Sequence, residues 1–399
     1  MEKKTKADIL ICGAGIVGLT IARELVKKRR GNIIIIEKEG DLGLHASGRN
    51  SGVLHAGIYY SKDTLRAKSC LKGNFMMKEY CKQKKLPLFQ SGKVIVTKNE
   101  GELETLKQLY DRAIANGAKV DIINEKELNK IEPNAKTFKQ ALYSHYTAVV
   151  SPKKILKSLH DDLIKTKKVK ILFNTKFESV KDSSVITNNG EIYYDLFINA
   201  AGAYSDKIAH SFGLGKEYKL IPFKGIYRKL KKEKNSMIKG SIYPVPDIRN
   251  PFLGVHYTRG IDGEVYLGPT AIPALGRENY GILSGMDIEA FEILLREAIL
   301  FFADPKFREV ALIEPRKYYP PYFFNDAKKL VKEIDPNDVI SSDKAGIRPQ
   351  LVDWNKKELV MDFKILKEAN SLHILNAISP AFTASMDFAK FVVDEYVKK

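Results

Sequence analysis

Three glycines and one acid carry the first chemistry in this chain. In the run Gly13-Ala14-Gly15-Ile16-Val17-Gly18 the glycines leave a turn bare of side chains, and Glu37 follows a later apolar run. Such a turn can hold a pyrophosphate. Missing Cβ atoms let phosphates reach the backbone, and the free N–H groups and positive dipole end of the next helix meet their charge. Glu37 can accept hydrogen bonds from ribose hydroxyls. The positioning elements are legible. Asp8-Ile9-Leu10-Ile11-Cys12 predicts a buried strand, Leu19 to Val26 an amphipathic helix, and Asn32-Ile33-Ile34-Ile35-Ile36 a second strand. Strand, glycine turn, helix, strand and acid in this order predict dinucleotide binding by Gly13, Ala14, Gly15, Ile16, Val17, Gly18 and Glu37, with Lys38 beside the acid.

Bulk composition narrows the class. A chain of 399 residues with 44% hydrophobic and 29% charged residues is globular, and its length suits two domains. The net charge of +18 would suit nucleic acid, an anionic membrane or acidic small molecules. The lysines are scattered in pairs such as Lys27-Lys28 and Lys328-Lys329, without a nucleic-acid motif, so no nucleic-acid partner is expected. Three cysteines, Cys12, Cys70 and Cys81, make no CxxC pair and fit a reducing compartment. The seven histidines form no metal-ligand spacing, so no metal is expected. Met1 to Lys6, before an apolar run, has the look of a signal peptide. Arg23 and Glu24 interrupt that run, and no stretch reaches the ~18 apolar residues of a membrane span. A soluble, cytoplasmic chain is expected, with peripheral contact at the inner membrane surface left open.

Strand and helix patterns alternate, which predicts an α/β fold. Helices are expected over 62–83, 100–116, from Ser151-Pro152, and from Asp287 (as N-cap) to Phe302. Lys93-Val94-Ile95-Val96-Thr97 reads as a strand and 184–194 as a hairpin around Asn189-Gly190. From Pro222 to Gly268, β-rich runs broken by proline and glycine predict an antiparallel sheet. The last strand, Leu372 to Ala377, precedes a helix expected to start with Ser379 as N-cap and Pro380 at its first position. The C-terminal strand and helix are expected to return to the first domain. A discontinuous Rossmann-type domain over 1–85, 145–215 and 340–399 would accompany a second domain over 86–144 and 216–339.

The segment from His45 to Tyr60 decides between nicotinamide and flavin. It offers small residues and hydroxyls suited to wrapping an extended cofactor, where a nicotinamide domain more often continues as a regular helix. With Asn199 to Asp206 and Ser379 to Ser385, it resembles the flavoprotein family related to D-amino-acid oxidase. Ser51 to Tyr60, Pro222-Phe223-Lys224-Gly225, Gly254-Val255-His256-Tyr257-Thr258 and Gly268-Pro269 together are similar to the L-2-hydroxyglutarate oxidases and dehydrogenases within it. The resemblance runs from Asp8 to Phe391. Arg49, Lys224 and Thr270 depart from it, standing where histidine, arginine and asparagine are usual.

The resemblance implies FAD, held in the 1–85, 145–215 and 340–399 domain, and a substrate domain built on the antiparallel sheet. It implies oxidation of a small anionic L-2-hydroxy (di)carboxylate by hydride transfer to the flavin, with electrons passing to oxygen or a quinone. Beyond the fingerprint, Ser47, Arg49, Asn50, Ser51, Ala201, Gly202 and Gly346 are expected at the cofactor, with Phe177 at its adenine end. Pro380, Ala381, Phe382 and Thr383 would offer helix N–H groups to negative charge on the reduced ring. Arg348, in Gly346-Ile347-Arg348-Pro349, would anchor a carboxylate; alternatively it is a surface arginine before a turn. His55 and His256 compete as the base, since a neutral imidazole takes a proton near pH 7. His256 also reads as a satisfied core histidine. Tyr59, Tyr60 and Thr258 are expected substrate donors, Tyr60 equally core packing, and Lys224 would meet a second carboxylate or stand exposed. Glycerol-3-phosphate dehydrogenase and amino-acid or amine oxidase remain alternatives in the same superfamily, with a flavin-containing nucleic-acid-binding protein more remote.

Overall fold

The structure, a computed structural model, describes residues 5–247 and 252–397. Met1–Lys4, the start of the leader-like segment, lies outside them. The chain folds into two compact units: residues 1–49, 152–221 and 348–399 form the first, and 50–151 with 222–347 the second.

The first unit is built on parallel strands. Thr5–Cys12 lies between Ile33–Ile36 and Gly190–Asn199, parallel to both. Val169–Leu172 extends one side and Ser371–Ile374 the other, again in parallel. Four consecutive isoleucines, all buried, make the Ile33–Ile36 strand, as a sheet covered on both faces requires. The helix Ile16–Lys27 buries Ile16, Leu19, Ile21 and Leu25 against Pro152–Lys165 and Ala381–Tyr396. Each such side chain contributes about 1.5–3 kcal/mol by leaving water. The hairpin at Asn189-Gly190 forms, and its second arm runs unbroken to Asn199.

In the second unit the sheet runs Val339–Asp353, Tyr218–Leu230, Val265–Gly268, His256–Arg259, Ser241–Pro244, Lys93–Val96, Gln140–Ser144 and Val120–Asn124. Neighbours from Val265–Gly268 to Ser241–Pro244 are antiparallel, but Ser241–Pro244 and Lys93–Val96 run parallel, so the expected antiparallel sheet is a mixed one. Alternation along these strands sorts two faces. Val94, Val96, Ile242, Tyr257 and Leu267 enter a dry core with Phe323, Ala327 and Leu330. The opposite face carries the polar residues described below.

Three expectations are corrected. The first break falls after Arg49, not near residue 85, and the helix Leu65–Gln83 belongs to the second unit. Its buried Asn74 explains this: the side-chain amide donates to the carbonyls of Leu54, His55 and Tyr146 and fastens the helix there. The other expected breaks near 145, 215 and 340 fall at 151, 221 and 347. Ser379 does not cap the last helix. Pro380 is the cap residue and the Ala381 amide is donated to the Ile378 carbonyl, so no side chain occupies that end. Asp287 likewise lies one residue before the cap position, which Ile288 fills, although its carboxylate accepts the Glu289 N–H. Among the described residues no helix is long and apolar enough to cross a membrane.

Candidate active site

The glycine turn in the first unit leaves no room for side chains. Gly13 sits at φ +107°, and a Cβ there would lie 2.5 Å from the Ala200 carbonyl oxygen. A Cβ on Gly18 would lie 2.0 Å from the Gly13 carbonyl oxygen, so the helix starts in direct contact with the turn. Ser47 Oγ accepts the Ile16 N–H at 2.9 Å and would meet a Cβ on Gly15 at 3.0 Å. The first turn of this helix itself holds no acidic residue. Glu37 Oε2 accepts the Ala14 N–H at 2.9 Å and Oε1 the Glu39 N–H at 3.1 Å. Those bonds fix the carboxylate beside the turn. Each oxygen keeps a further lone pair for a ribose hydroxyl. Bare turn, acid-free first helical turn and tethered carboxylate fit the pyrophosphate and ribose of a dinucleotide.

The remaining first-unit candidates have definite places. Lys38 pairs with Glu39 and lies 2.8 Å from His45 Nε2, which holds the Glu39 carboxyl below its ordinary range. Arg49 Nε donates to the Leu44 carbonyl. Ala201 N–H is held by Asn199 Oδ1, and Gly202 at φ +55° opens a short 3-10 turn. The Phe177 ring is partly buried and packs on Phe197 and Phe212 against the core. Pro380, Ala381, Phe382 and Thr383 start a helix whose first turn is also free of acids. Arg348 donates to Gln350 Oε1 at 3.3 Å, a contact the sequence did not suggest.

In the second unit the polar face of the sheet gathers four residues. Tyr243 and His256 pack ring on ring at 3.7 Å with 23° between planes. Thr258 is two residues along from His256 and therefore on the same face. Lys93 Nζ lies 4.7 Å from the Tyr243 ring and donates to the Tyr59 hydroxyl at 3.1 Å. His256 Nδ1 lies 2.8 Å from the Gly254 carbonyl. A carbonyl only accepts, so Nδ1 carries the proton and Nε2 keeps its lone pair. Burial, helped by the Lys93 charge and opposed by the Gly254 bond, pushes the His256 imidazole down to about 3. Burial pushes His55 to about 3 as well, with Lys93, His256 and Arg66 adding to it. Both rings are neutral near pH 7.

The loop holding His55, Tyr59 and Tyr60 is tied down by its backbone. Asn74 holds the His55 carbonyl, Arg112 the Tyr59 carbonyl, and Asn116 those of Gly57 and Tyr60. The Arg66 guanidinium covers the Tyr60 ring at 4.5 Å. Asn50 Oδ1 accepts the Gly52 N–H, and Ser51 Oγ lies at 3.5 Å from the Val53 nitrogen. Lys224 has partners of its own. It is buried and donates to Asn279 Oδ1 and the Gly281 carbonyl, so it braces the 279–281 loop instead of standing exposed. Thr270 bonds the Ile226 amide and the Lys224 carbonyl in the same stretch. Gly346 lies on the long strand Val339–Asp353.

Lys93, Tyr243 and Asn74 were not picked out from the sequence. A signal existed for the first: a lysine opening an apolar strand run, on the same strand face as the buried Ile95. Asn74 sits mid-helix among buried positions, an unusual place for an amide unless backbone needs it.

A parallel α/β unit with a bare glycine turn, joined in one chain to a unit presenting neutral imidazoles and a buried cation, defines a dinucleotide-dependent oxidoreductase. The sequence profile of the family described as FAD dependent oxidoreductase matches residues 8–394, and the chain belongs to that family. It is similar to the mitochondrial L-2-hydroxyglutarate dehydrogenase of Mus musculus, 34% identical over 96% of this chain and 87% of that protein. The L-2-hydroxyglutarate dehydrogenase of Indibacter alkaliphilus is 34% identical over 98% of this chain and 99% of its own length. Among solved structures, L-alpha-glycerophosphate oxidase from Mycoplasma pneumoniae with FAD bound shares the fold, with TM-score 0.78 and 23% identity over 99% of this chain and 95% of that one. The cofactor of the family is FAD.

Proposed function

We propose that this chain oxidises L-2-hydroxyglutarate to 2-oxoglutarate, with residues 1–49, 152–221 and 348–399 holding most of FAD and the second unit supplying the base. The observation that carries the reading is His256: neutral, oriented by the Gly254 carbonyl, with Nε2 left to accept a proton. Nε2 takes the C2 hydroxyl proton as the C2 hydrogen leaves. Bound FAD supplies the hydride acceptor. Arg348 binds a carboxylate, and His55, Tyr59, Tyr60 and Thr258 line the substrate. Gly13 to Gly18 and Glu37 hold the phosphates and ribose. Ser47, Arg49, Asn50, Ser51, Ala201, Gly202 and Gly346 contribute along the cofactor, and the acid-free end of the helix Ala381–Tyr396 faces its negative charge. Names of relatives at 34% identity support the substrate.

Anaerobic mixing of the yellow protein with L-2-hydroxyglutarate should bleach the flavin absorbance. No bleaching by that acid, with bleaching by glycerol 3-phosphate, glycine or sarcosine, would reject the substrate and leave the family in place.

Electrons then pass to oxygen or to a quinone, and for the latter we propose peripheral membrane contact. Ile288 is 96% exposed, and Phe291 and Phe302 are each 77% exposed along the helix Glu289–Ala303. Ile282 and Leu283 are exposed as well, and exposed Lys306 and Arg316 follow in sequence. An apolar helix face followed in the chain by exposed cations suits anionic lipid. Sedimentation with phosphatidylglycerol vesicles should carry the protein down, and Phe291→Glu with Phe302→Glu should release it; equal pelleting of both ends this idea. The three cysteines are free and buried, which suits a reducing cytoplasm as the compartment.

A further inference from the structure

Lys93 is a buried cation whose neighbours do not balance its charge. Only 1% of the residue is exposed. One of its three N–H bonds goes to the Tyr59 hydroxyl, and the Tyr59 and Tyr243 rings lie 4.5 and 4.7 Å from Nζ. Among the described residues no carboxylate pairs with it. The groups that feel its charge are His55 and His256, which it helps to keep neutral, and the Cys70 thiol. Tyrosine faces attract an ammonium but do not replace a counter-ion. A charge this deep is ordinarily paired, because water no longer solvates it. The missing partner has a definite chemistry: an anion that reaches Nζ within the same cluster as the His256 ring.

We propose that Lys93 is the counter-ion for one carboxylate of the substrate and selects a dicarboxylate over 2-hydroxy acids with a single carboxylate. The inference rests on the L-2-hydroxyglutarate reading. Lys93 replaces Lys224 in that role, since two of the three Lys224 donors are held by Asn279 Oδ1 and the Gly281 carbonyl. The strand geometry serves it well. Lys93 is fixed at the start of Lys93–Val96, next to Ser241–Pro244, which in turn pairs with the strand holding His256 and Thr258. One sheet face thus sets the distance between the carboxylate grip and the base. The free ammonium is pushed down to about 7 by burial, so an arriving carboxylate both pairs with Lys93 and draws a proton onto it.

The test uses the FAD-loaded wild type, Lys93→Met and Lys93→Arg, with L-2-hydroxyglutarate and L-2-hydroxypentanoate as substrates. Lys93→Met should lower kcat/KM for the dicarboxylate by about 100-fold, the scale of losing a buried charged partner, and that for the monocarboxylate by less than tenfold. Lys93→Arg should restore part of the loss. Its glutarate affinity, followed by flavin absorbance, should stay flat above pH 7, where that of the wild type falls. Thermal stability of Lys93→Met should not drop, since an unpaired buried charge is removed. Equal losses for both substrates, or loss of FAD instead of substrate affinity, would overturn the proposal. So would a pH-independent glutarate affinity in the wild type, a measurement that needs no variant. A wild type that L-2-hydroxyglutarate does not reduce would instead remove the functional reading itself, and this inference with it.

Discussion

His256→Gln should slow anaerobic flavin reduction by about 10²–10⁴-fold, the range for losing a positioned general base. FAD should stay bound, because the proposed phosphate and ribose contacts all lie in the first unit. Glutamine preserves polarity but cannot take up a proton, and it forfeits the stack on Tyr243, a packing loss of about 0.5–1.5 kcal/mol. The parallel variant His55→Gln separates the two candidates. The Gly254 carbonyl fixes the His256 tautomer with Nε2 left to accept a proton, so the smaller kinetic loss is expected in His55→Gln. A rate reduced less than tenfold in His256→Gln, with a larger fall in His55→Gln, would reverse the assignment.

The sign of the pH effect follows from the same electrostatics. In the free protein His256 is held neutral down to about pH 3 by burial and by Lys93. Lowering the pH from 8 to 5 therefore does not protonate it before substrate arrives. A dianionic substrate reverses the local field and raises its affinity for a proton. The acid limb of kcat, which reports the substrate complex, should accordingly lie at higher pH than that of kcat/KM, which reports the free protein. The imidazole is a poor base when the site is empty and a better one when it is filled. Coincident acid limbs in the two profiles would exclude this coupling.

How far the sequence reveals this arrangement depends on the range of the interactions. Short-range physics is legible. The Gly13–Gly18 turn, the isoleucine strand at 33–36 and the hairpin at Asn189-Gly190 are each set by local sterics and periodicity, and each forms. The mixed sheet is not legible, because the pairing of Ser241–Pro244 with Lys93–Val96 joins strands far apart in sequence. Without that pairing, Lys93 reads as the ordinary start of a strand, and nothing says that it shares a face with Tyr243 and His256. The boundary after Arg49 escapes for a similar reason. Asn74 is an unremarked amide in a helix until its donors are seen on Leu54, His55 and Tyr146. Ser379 misleads because cap preference is local, while the end of the last helix is closed by backbone.

The second large effect is expected at Gly18. Gly18→Ala places a methyl group 2.0 Å from the Gly13 carbonyl oxygen, and that oxygen belongs to the backbone of the turn itself. Rotation of a side chain cannot relieve the clash. Either the helix Ile16–Lys27 moves off the strand Thr5–Cys12 or the turn opens, and overpacking of this kind costs about 1–3 kcal/mol. Both movements misalign the amides proposed to meet the pyrophosphate, so a loss of similar size again in binding would raise the Kd for FAD by about 10–100-fold. Gly15→Ala probes the same turn differently. Its new methyl meets only the Ser47 hydroxyl, at 3.0 Å, which can shift, so stability should change little. The methyl would nevertheless stand where phosphate must approach, and FAD affinity should still fall. Gly101→Ala, facing only Asn99 Oδ1 at 3.3 Å, serves as the neutral comparison. The ordering expected for FAD affinity is Gly101→Ala above Gly15→Ala above Gly18→Ala, with thermal stability dropping markedly in the last alone. Undiminished yellow colour and melting temperature in Gly18→Ala would mean that the turn neither packs nor binds as its geometry requires.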